Sequence, residues 1–414
     1  MSEHYKNMNQ RSSNNMQVNA VIVGTGILGL VLAKRLLDIG QTIAVIEKSA
    51  TIAYGASSKN HGWIHQGTTH ALSADDNEQG WETARHLQYG HSFFKSYAPE
   101  CFDEPFLKSY AVTKDASRAA FARKRWTECE VPFKELTKEE FERIEPNMRE
   151  GAASYFFKVA DSRLNNRMLF MKLLAEIKEK GAIVLTEATY EYQDLHHIRV
   201  TTPQGMTNIV ADVFLYATGA GIEETYRKLT GRTIPVLYFK CHMLFMPRFT
   251  NVSVIGLDQS SPIVVNHGDT AAINRAHDEI LTTGTDYKVD PAEIDRSLQT
   301  LAELYPAAQH VSPEDIRTVA CLKPYIQSDV NIKSLRIDAT VIEPQDGHIF
   351  ALPGKMTAAP YVADEIIKSI FPKLHSNSTT PRPFDSDATK FQTPTTVALL
   401  KKTTPPKPKA VVSY

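Results

Sequence analysis

The chain has 414 residues, with 46 lysines and arginines against 47 aspartates and glutamates, so its formal net charge at pH 7 is −1. This balance excludes the basic field that collects nucleic acid or an anionic membrane surface, and neither is an expected partner. The polar N-terminus lacks an apolar signal-peptide core and no apolar run reaches the roughly 20 residues that span a bilayer, so we expect a cytoplasmic protein.

The first unit with a recognisable pattern runs over Val21–Lys48 and reads as a strand, a glycine turn, a helix and a second strand. Gly24 permits the tight turn, Gly26 lets the backbone approach a pyrophosphate, and Gly29 lets the helix pack against the strand. Glu47 ends the second strand about 20 residues later, where a carboxylate binds a ribose diol and repels a 2′-phosphate. The unit predicts dinucleotide binding, the alternative being a turn in some other α/β protein. The contact residues that it predicts are Gly24, Gly26, Ile27, Leu28, Gly29, Glu47 and Lys48.

Helices and strands alternate through the middle of the chain. Apolar residues at helical spacing predict a helix over Leu164–Lys180, followed by a strand at Ala182–Leu185. Two further strands, Ile198–Thr202 and Ile209–Ala217, are joined by a turn that contains proline and glycine. Gly219 lies just beyond the second of these strands, so the backbone there can approach a ligand.

The C-terminal part adds two helices and a tail. Asp290 and Pro291 are typical of the N-cap and first residue of a helix. A short strand at Gly347–Leu352 leads into the sequence Pro-Gly-Lys-Met-Thr at Pro353–Thr357, which opens the second helix. The last residues are rich in Thr, Pro, Ser and Lys, a composition that cannot repay its ordering entropy, so we predict a tail. A proline-rich ligand for a partner domain is the alternative.

The spread of these elements argues against a nicotinamide dehydrogenase with a self-contained cofactor domain. The chain resembles the D-amino-acid oxidase and glycine oxidase superfamily of FAD enzymes, whose relatives include the glycerol-3-phosphate and L-2-hydroxyglutarate dehydrogenases. Four stretches carry the resemblance: the Gly24 unit, the sequence GASSKNHGWIHQG at Gly55–Gly67, the strand end at Ala217–Gly219, and Gly354–Thr357. The resemblance covers Val18–Phe371 and implies an α/β fold, in which a Rossmann-like, GR2-type FAD-binding domain accompanies a substrate domain with a mixed or antiparallel sheet.

Both domains are predicted to be assembled from separate segments. The FAD-binding domain would comprise residues 18–90, 150–225 and 325–371, and the substrate domain residues 91–149 and 226–324. Residues 1–17 would form a disordered N-terminal tail, and residues 372–414 the Pro/Thr-rich C-terminal tail. The four cysteines are widely spaced, so we expect reduced thiols and no metal site.

The resemblance assigns the Gly55–Gly67 stretch to the cofactor. It implies that Ser57, Ser58 and Asn60 bind the pyrophosphate and ribityl chain of FAD, the alternative being a polar loop. His61 replaces a small residue that is usual in the hydroxy-acid relatives, and a covalent tether to the flavin is one hypothesis for it.

The Gly354 turn has a predicted electrostatic role. Free amides at Lys355, Met356 and Thr357, at a helix N-terminus, would stabilise the negative charge that hydride transfer leaves on the flavin. The Lys355 side chain would add its charge or extend into solvent.

The candidate catalytic residues are His65, His242 and Lys323. His65 occupies the family's Ile-His-x-Gly position near the flavin, where an imidazole orients or deprotonates substrate, unless it only packs in a turn. Tyr238, Lys240 and His242 alternate along a strand and share one face, which looks either at the flavin or outward. Lys323 stands where many relatives carry an arginine for a carboxylate or phosphate, and lysine keeps the charge but loses the bidentate fork. The polar clusters at Asp161–Arg163 and Asn266–Asp269 receive no role from the sequence.

We therefore predict an FAD-dependent oxidase or dehydrogenase that takes hydride from a C–H next to nitrogen in a small anionic amine or amino acid, giving an imine. Oxygen or another acceptor would reoxidise the flavin, and the oligomeric state is left open. Oxidation of a 2-hydroxy acid or phosphorylated alcohol is the alternative, since an alcohol must lose its hydroxyl proton and calls for a positioned histidine. A flavin monooxygenase lacks its expected late Gly-Asp-Ala-like turn here, and a non-catalytic dinucleotide-binding protein would leave His65 without purpose.

Overall fold

The computed structural model describes residues 14–72, 77–102, 109–258, 261–275, 279–326, 339–374 and 396–399. Within these residues the strands are, in chain order, β1 (Asn14–Val23), β2 (Ile43–Ile46), β3 (Trp63–Ile64), β4 (Ser109–Thr113), β5 (Phe133–Leu136), β6 (Tyr155–Val159), β7 (Ser162–Arg163), β8 (Ile183–Leu185), β9 (Thr189–Tyr192), β10 (His197–Thr202), β11 (Gly205–Tyr216), β12 (Val236–Pro247), β13 (Ser253–Gly256), β14 (Pro262–His267), β15 (Thr270–Arg275), β16 (Glu279–Leu281), β17 (Arg317–Ile326), β18 (Thr340–Gln345), β19 (His348–Leu352) and β20 (Thr396–Leu399).

The α-helices within the same residues are α1 (Ile27–Asp38), α2 (Asn77–Tyr97), α3 (Ala116–Glu128), α4 (Lys138–Ile144), α5 (Asn166–Glu179), α6 (Ile222–Thr230), α7 (Pro291–Leu304) and α8 (Ala359–Leu374). Short 3-10 helices lie at His70–Leu72, Pro99–Cys101, Gly219–Gly221, Pro306–His310, Pro313–Asp315 and Met356–Ala358. None of the helices in the described part of the chain is long and apolar enough to cross a membrane.

The first sheet has a parallel centre, in the order β19-β11-β1-β2-β8. Helices α1, α5 and α8 cover one face through a single apolar cluster, and the β9–β10 hairpin and α6 pack on the other face. The carboxyl ends of parallel strands meet at one edge of a sheet, and ligands bind there. The turns after β1, β2, β11 and β19 therefore gather at this edge, as the predicted Rossmann-like fold requires.

The second sheet has the order β16-β12-β15-β14-β13-β4-β6-β5, with β17 added to β12. Its neighbouring strands are antiparallel except β13 and β4, which run parallel. This confirms the predicted mixed or antiparallel second sheet. Helices α4 and α7 pack on one side of it, and α3 on the other. The prediction assigned residues 150–225 to the FAD-binding domain, but β6 pairs with β4 and β5 in this sheet.

The ends of the chain also differ from the prediction. Strand β1 begins at Asn14, so residues 14–17 of the predicted N-terminal tail pair with β11. Helix α8 continues to Leu374, and Thr396–Leu399 pairs with β18, so two segments of the predicted C-terminal tail at 372–414 have regular secondary structure. Residues 1–13 and the proline-rich sequence at 403–409 lie outside the described residues.

Candidate active site

The turn between β1 and α1 depends on two glycines that leave no room for a side chain. Gly24 has a φ of +101°, and a Cβ added there would lie 2.5 Å from the carbonyl oxygen of Ala217. A Cβ on Gly29 would lie 2.0 Å from the carbonyl oxygen of Gly24. The helix, the turn and the end of β11 therefore touch through bare backbone.

The N-terminus of α1 is kept open. Gly26 is its N-cap and supplies no capping side chain, while the N–H of Ile27 donates to Ser57 Oγ over 3.0 Å. Leu28 is buried within the same helix. Ser57 thus lies at the helix terminus, the place where a pyrophosphate binds in a dinucleotide fold. Ser58 is exposed and its hydroxyl donates to the carbonyl of Gly55.

Glu47 is anchored at the end of β2. Its Oε2 accepts hydrogen bonds from the Thr25 N–H over 3.0 Å and from Thr25 Oγ1 over 2.5 Å, and its Oε1 accepts from the Ser49 N–H. The next residue, Lys48, is exposed. Sequence reasoning missed Thr25, whose signal was a hydroxyl side chain between two of the turn glycines.

The end of β11 completes this edge. Gly219 has a φ of +54°, and the hydroxyl of Thr218 is buried with no hydrogen-bond partner. A buried hydroxyl without a partner is costly, so a ligand atom at this place would relieve it. With the open helix N-terminus and the carboxylate of Glu47, these residues fit FAD. We call the set formed by Gly24–Gly29, Glu47, Ser57 and Thr218–Gly219 the cofactor edge.

The turn at Gly354 is a 3-10 helix before it becomes an α-helix. Gly354 has a φ of +67°, Met356–Ala358 forms the 3-10 helix, and α8 begins only at Ala359. The predicted free amide at Lys355 is wrong, because that N–H donates to the carbonyl of Pro353 over 2.7 Å. The predicted role of the Met356 and Thr357 amides toward the flavin stays a prediction.

Helix α2 packs directly on this turn. A Cβ added to Gly90 would lie 1.6 Å from the carbonyl oxygen of Thr357, so only glycine allows the contact. The Thr357 hydroxyl accepts a hydrogen bond from the His65 N–H over 3.1 Å. Gly90 escaped sequence reasoning because a single glycine within a helix is no motif.

Asn60 holds its own loop together. Its Nδ2 donates to the carbonyl of Ser57 over 2.7 Å, and its Oδ1 accepts from the Gly62 N–H and from Asn166 Nδ2, each over 2.8 Å. The loop is thereby tied to the start of α5. A direct contact of Asn60 with FAD stays a prediction.

Three histidines lie together after this loop. The ring of His65 lies with its centre 6.2 Å from that of His61 and 4.3 Å from that of His70. Burial lowers the pKa of all three, and the charges of Lys355 and Lys323 lower it further. The imidazoles are therefore neutral near pH 7 and able to accept a proton. We call His61, His65, His70, Lys323 and Lys355 the substrate-side cluster.

The sequence analysis missed His70, which the fold brings next to His65 from the 3-10 helix at His70–Leu72. Nδ1 of His61 accepts the N–H of Trp63 over 3.1 Å, and its proposed covalent link to the flavin stays untested.

The structure does not bring His242 to this cluster. Its Nε2 accepts the N–H of Asp290 over 3.0 Å at the start of α7, and Lys240 on the same face donates to Asp286. Lys323 pairs instead with Phe239, on the opposite face of the β12–β17 ladder. Alternation had indicated that Tyr238, Lys240 and His242 share a face, but not whether that face adjoins the three histidines.

That opposite face contacts the Gly55–Gly67 loop. Cys241 pairs across the ladder with Cys321, and both pack in an apolar cluster that includes Ala56. Lys323 follows two residues after Cys321 on the same side, which explains how its charge reaches the three histidines. All four cysteines are free thiols.

Asp161 lies fully buried beside His65. Its Oδ2 accepts the indole N–H of Trp63 over 2.6 Å and lies 3.7 Å from His65 Nδ1. Burial acts to raise the pKa of Asp161, but His65 and the hydrogen bonds from Trp63 and Gln66 bring it below its usual range. The sequence had shown this residue only as part of an unassigned polar cluster.

Comparison with known proteins gives one family match and many structural matches. The model of the family described as "DAO: FAD dependent oxidoreductase" matches residues 19–367. No curated protein sequence matches the chain.

Three of the similar solved structures illustrate the range. Glycine oxidase from Geobacillus kaustophilus is 16% identical with a TM-score of 0.68, and the match covers 91% of this chain and 99% of that one. L-proline dehydrogenase from P. horikoshii is 18% identical with a TM-score of 0.68, over 86% and 94%. L-alpha-glycerophosphate oxidase from Mycoplasma pneumoniae, with FAD bound, is 13% identical with a TM-score of 0.66, over 89% and 98%. At these identities the likeness shows the fold alone.

Proposed function

Because the chain belongs to the DAO family of FAD-dependent oxidoreductases, we propose that it oxidises a small anionic amine or amino acid at the C–H next to nitrogen, giving an imine. The sequence prediction of this family, and of FAD as the cofactor, is confirmed. The substrate class and the roles of individual residues are the proposal.

The observation that carries the proposal is the charge of the substrate-side cluster. Lys323 and Lys355 come from different parts of the chain, yet the charges of both act on the same three histidines. Two lysine charges near a buried place favour a ligand that brings negative charge, since unlike charges attract strongly where water is excluded. A substrate carboxylate supplies that charge.

The residues of the chain have distinct parts in this reaction. Bound FAD supplies the hydride acceptor. The cofactor edge binds its dinucleotide portion through the open α1 terminus and Glu47. Lys323 holds the carboxylate, and the neutral imidazole of His65 takes a proton from the substrate nitrogen, because only a neutral amine gives up hydride readily.

A specific observation favours a second candidate. An alcohol must lose its hydroxyl proton as hydride leaves, so its oxidation needs a well-placed base. The pairing of His65 with the buried Asp161 is such an arrangement. Oxidation of a 2-hydroxy acid or of a phosphorylated alcohol is therefore the alternative, and the solved relatives named above include one whose name refers to glycerophosphate.

The experiment compares matched substrates. The visible absorbance of the FAD-loaded protein is followed without oxygen while D- and L-alanine, D- and L-lactate, glycine, proline and glycerol 3-phosphate are added. Alanine and lactate share the carboxylate and differ in nitrogen against oxygen, and alaninamide lacks the carboxylate. Bleaching by an amino acid, and not by its amide, supports the proposal. Bleaching only by lactate or glycerol 3-phosphate selects the alternative, and bleaching by uncharged or cationic compounds alone overturns the anionic site.

A further inference from the structure

We propose that Asp161 is a positioning residue for His65, holding the Nδ1 side of the imidazole so that Nε2 is the atom that accepts a proton from substrate. The inference rests on the proposed function, in which His65 lies beside the substrate. It assigns a task to a buried carboxylate that neither the cofactor nor the predicted catalytic residues explain.

The carboxylate of Asp161 is fixed relative to His65 on both of its oxygens. Asp161 is fully buried in the turn between β6 and β7. Its Oδ2 accepts the Trp63 indole N–H, and its Oδ1 accepts the Gln66 backbone N–H over 2.5 Å. One donor is the backbone N–H that follows His65 and the other is the indole of Trp63 two residues before it, so the carboxylate is held against the segment that carries the imidazole.

The Nδ1 atom of His65 faces the Asp161 carboxylate. His65 Nδ1 is buried without a hydrogen bond, and it lies 3.7 Å from Asp161 Oδ2. That separation exceeds the 2.7–3.2 Å of a hydrogen bond, but catalytic hydrogen bonds are often long before substrate binds and tighten with it. A carboxylate accepts only, so it selects the tautomer with the proton on Nδ1 and leaves the Nε2 lone pair available.

Asp161 raises the pKa of His65, whereas the charges of Lys355 and Lys323 lower it. His61 from the same segment, His70 from the 3-10 helix at His70–Leu72, Lys323 from β17 and Lys355 before α8 are neutral or cationic, and His91 of α2 also lies within electrostatic reach. Burial lowers the pKa of His65, and Asp161 opposes this. Without the carboxylate, His65 would be a weaker base.

The first test is the pH profile of flavin reduction in Asp161→Asn, with the best substrate from the matched panel and without oxygen. The rate requires neutral His65, so it falls as the pH drops through the His65 pKa. Loss of the carboxylate lowers that pKa further. We expect the falling limb to move to lower pH by about one unit and the plateau to fall by about tenfold or more.

A matched variant separates positioning from loosening of the turn. Ser162→Ala alters the adjacent buried residue, whose hydroxyl bonds to His91, and leaves the carboxylate in place. In Ser162→Ala, the falling limb of the pH profile is expected at the same pH as in the wild-type protein. A lower plateau in Asp161→Asn with an unmoved limb would mean that Asp161 only supports the fold, and would overturn the inference.

A second measurement does not depend on turnover. Imidazole ¹⁵N and ¹³C NMR of the FAD-loaded wild-type protein, with His65→Gln used to identify the His65 signals, reports which nitrogen carries the proton. We expect the Nδ1–H tautomer; the Nε2–H tautomer would contradict the inference even if Asp161→Asn failed to fold. If no compound of the panel bleaches the flavin, the proposed function fails. The observed tautomer of His65 would then still test whether Asp161 positions the imidazole.

Discussion

The cofactor edge and the substrate-side cluster adjoin each other, but backbone atoms make most contacts in the first and side chains make them in the second. At the cofactor edge the contacts are mostly backbone, as between Gly24 and Ala217 or between Gly29 and Gly24, and glycines are needed because any Cβ would collide. The substrate-side cluster is made of side chains that arrive from several parts of the chain. A site of backbone contacts leaves a local pattern in the sequence, whereas a site of gathered side chains becomes visible only in the fold.

The largest effect is expected on FAD binding at the cofactor edge, in a variant that still folds. A Cβ at Gly26 meets only Ser57 Oγ, at 3.2 Å, so Gly26→Val should fold but block the approach of a pyrophosphate. We expect FAD affinity to fall by about 100-fold or more, roughly 3 kcal/mol. Gly55→Ala, in the same region with no atom within 4 Å of the added Cβ, is the control. Flavin titration measures both, and full retention of FAD by Gly26→Val would remove the distinction between the two regions.

The next largest effect is expected where helix α2 contacts the turn that holds the backbone of His65. Gly90→Ala drives a methyl group into the carbonyl of Thr357, so α2 must withdraw from the turn whose Thr357 hydroxyl holds the His65 N–H. Overpacking of this kind costs about 1–3 kcal/mol in the free energy of unfolding. Denaturant unfolding of the FAD-loaded protein measures it. Ser92→Ala, exposed on the same helix, should change little; an equal loss in both variants would trace the effect to the helix alone.

Acid should lower the free energy of unfolding through two buried histidines. Burial lowers the pKa of His91, beside the substrate-side cluster, and of His348, in the first sheet, to about 4. Their folded-state pKa lies below that of the unfolded chain, so the stability they contribute is present above pH 6.5 and is lost as the pH falls from 6.5 to 4. At pH 5 the loss is on the order of 2 kcal/mol for each group. Denaturant unfolding at pH 7 and pH 5 measures it.

His348→Gln tests that assignment. His348 donates from Nε2–H to the Leu195 carbonyl and accepts at Nδ1 from the Tyr216 hydroxyl, and glutamine keeps hydrogen-bonding capacity without titrating. The variant should lose less stability between pH 7 and pH 5 than the wild type does. An identical pH dependence would place the acid sensitivity in other groups.

The smallest of these effects tests which face of the β12–β17 ladder meets the substrate. Lys323→Gln should weaken the binding of an anionic substrate by about tenfold, near 1.4 kcal/mol. The substitution removes a charge and keeps a polar side chain of similar length. Lys240→Gln removes a lysine on the opposite face, where it binds Asp286. The dissociation constant of the substrate, from flavin reduction rates, should rise only in the first variant. A rise in Lys240→Gln alone would place the substrate on the face of Lys240 and His242 instead.

The same difference between backbone contacts and gathered side chains decides which features could be predicted from the sequence. The Gly24 unit, Glu47 and the helices α1, α5 and α7 were predictable, because glycine spacing, helical periodicity and caps are local signals. Gly90 and Asp161 were not, because their importance arises from atoms distant in sequence. The place of His242 could not be predicted, since strand alternation does not say which face adjoins the other candidate residues.

A crystal structure of the FAD-loaded protein with an unreactive carboxylate would show whether Lys323 binds the substrate anion beside His65. We expect the dinucleotide along the cofactor edge, the flavin between the Met356–Ala358 turn and His65, and the carboxylate within about 3 Å of Lys323 Nζ. A carboxylate bound on the Lys240 and His242 face, or a flavin remote from His65, would rule out this arrangement.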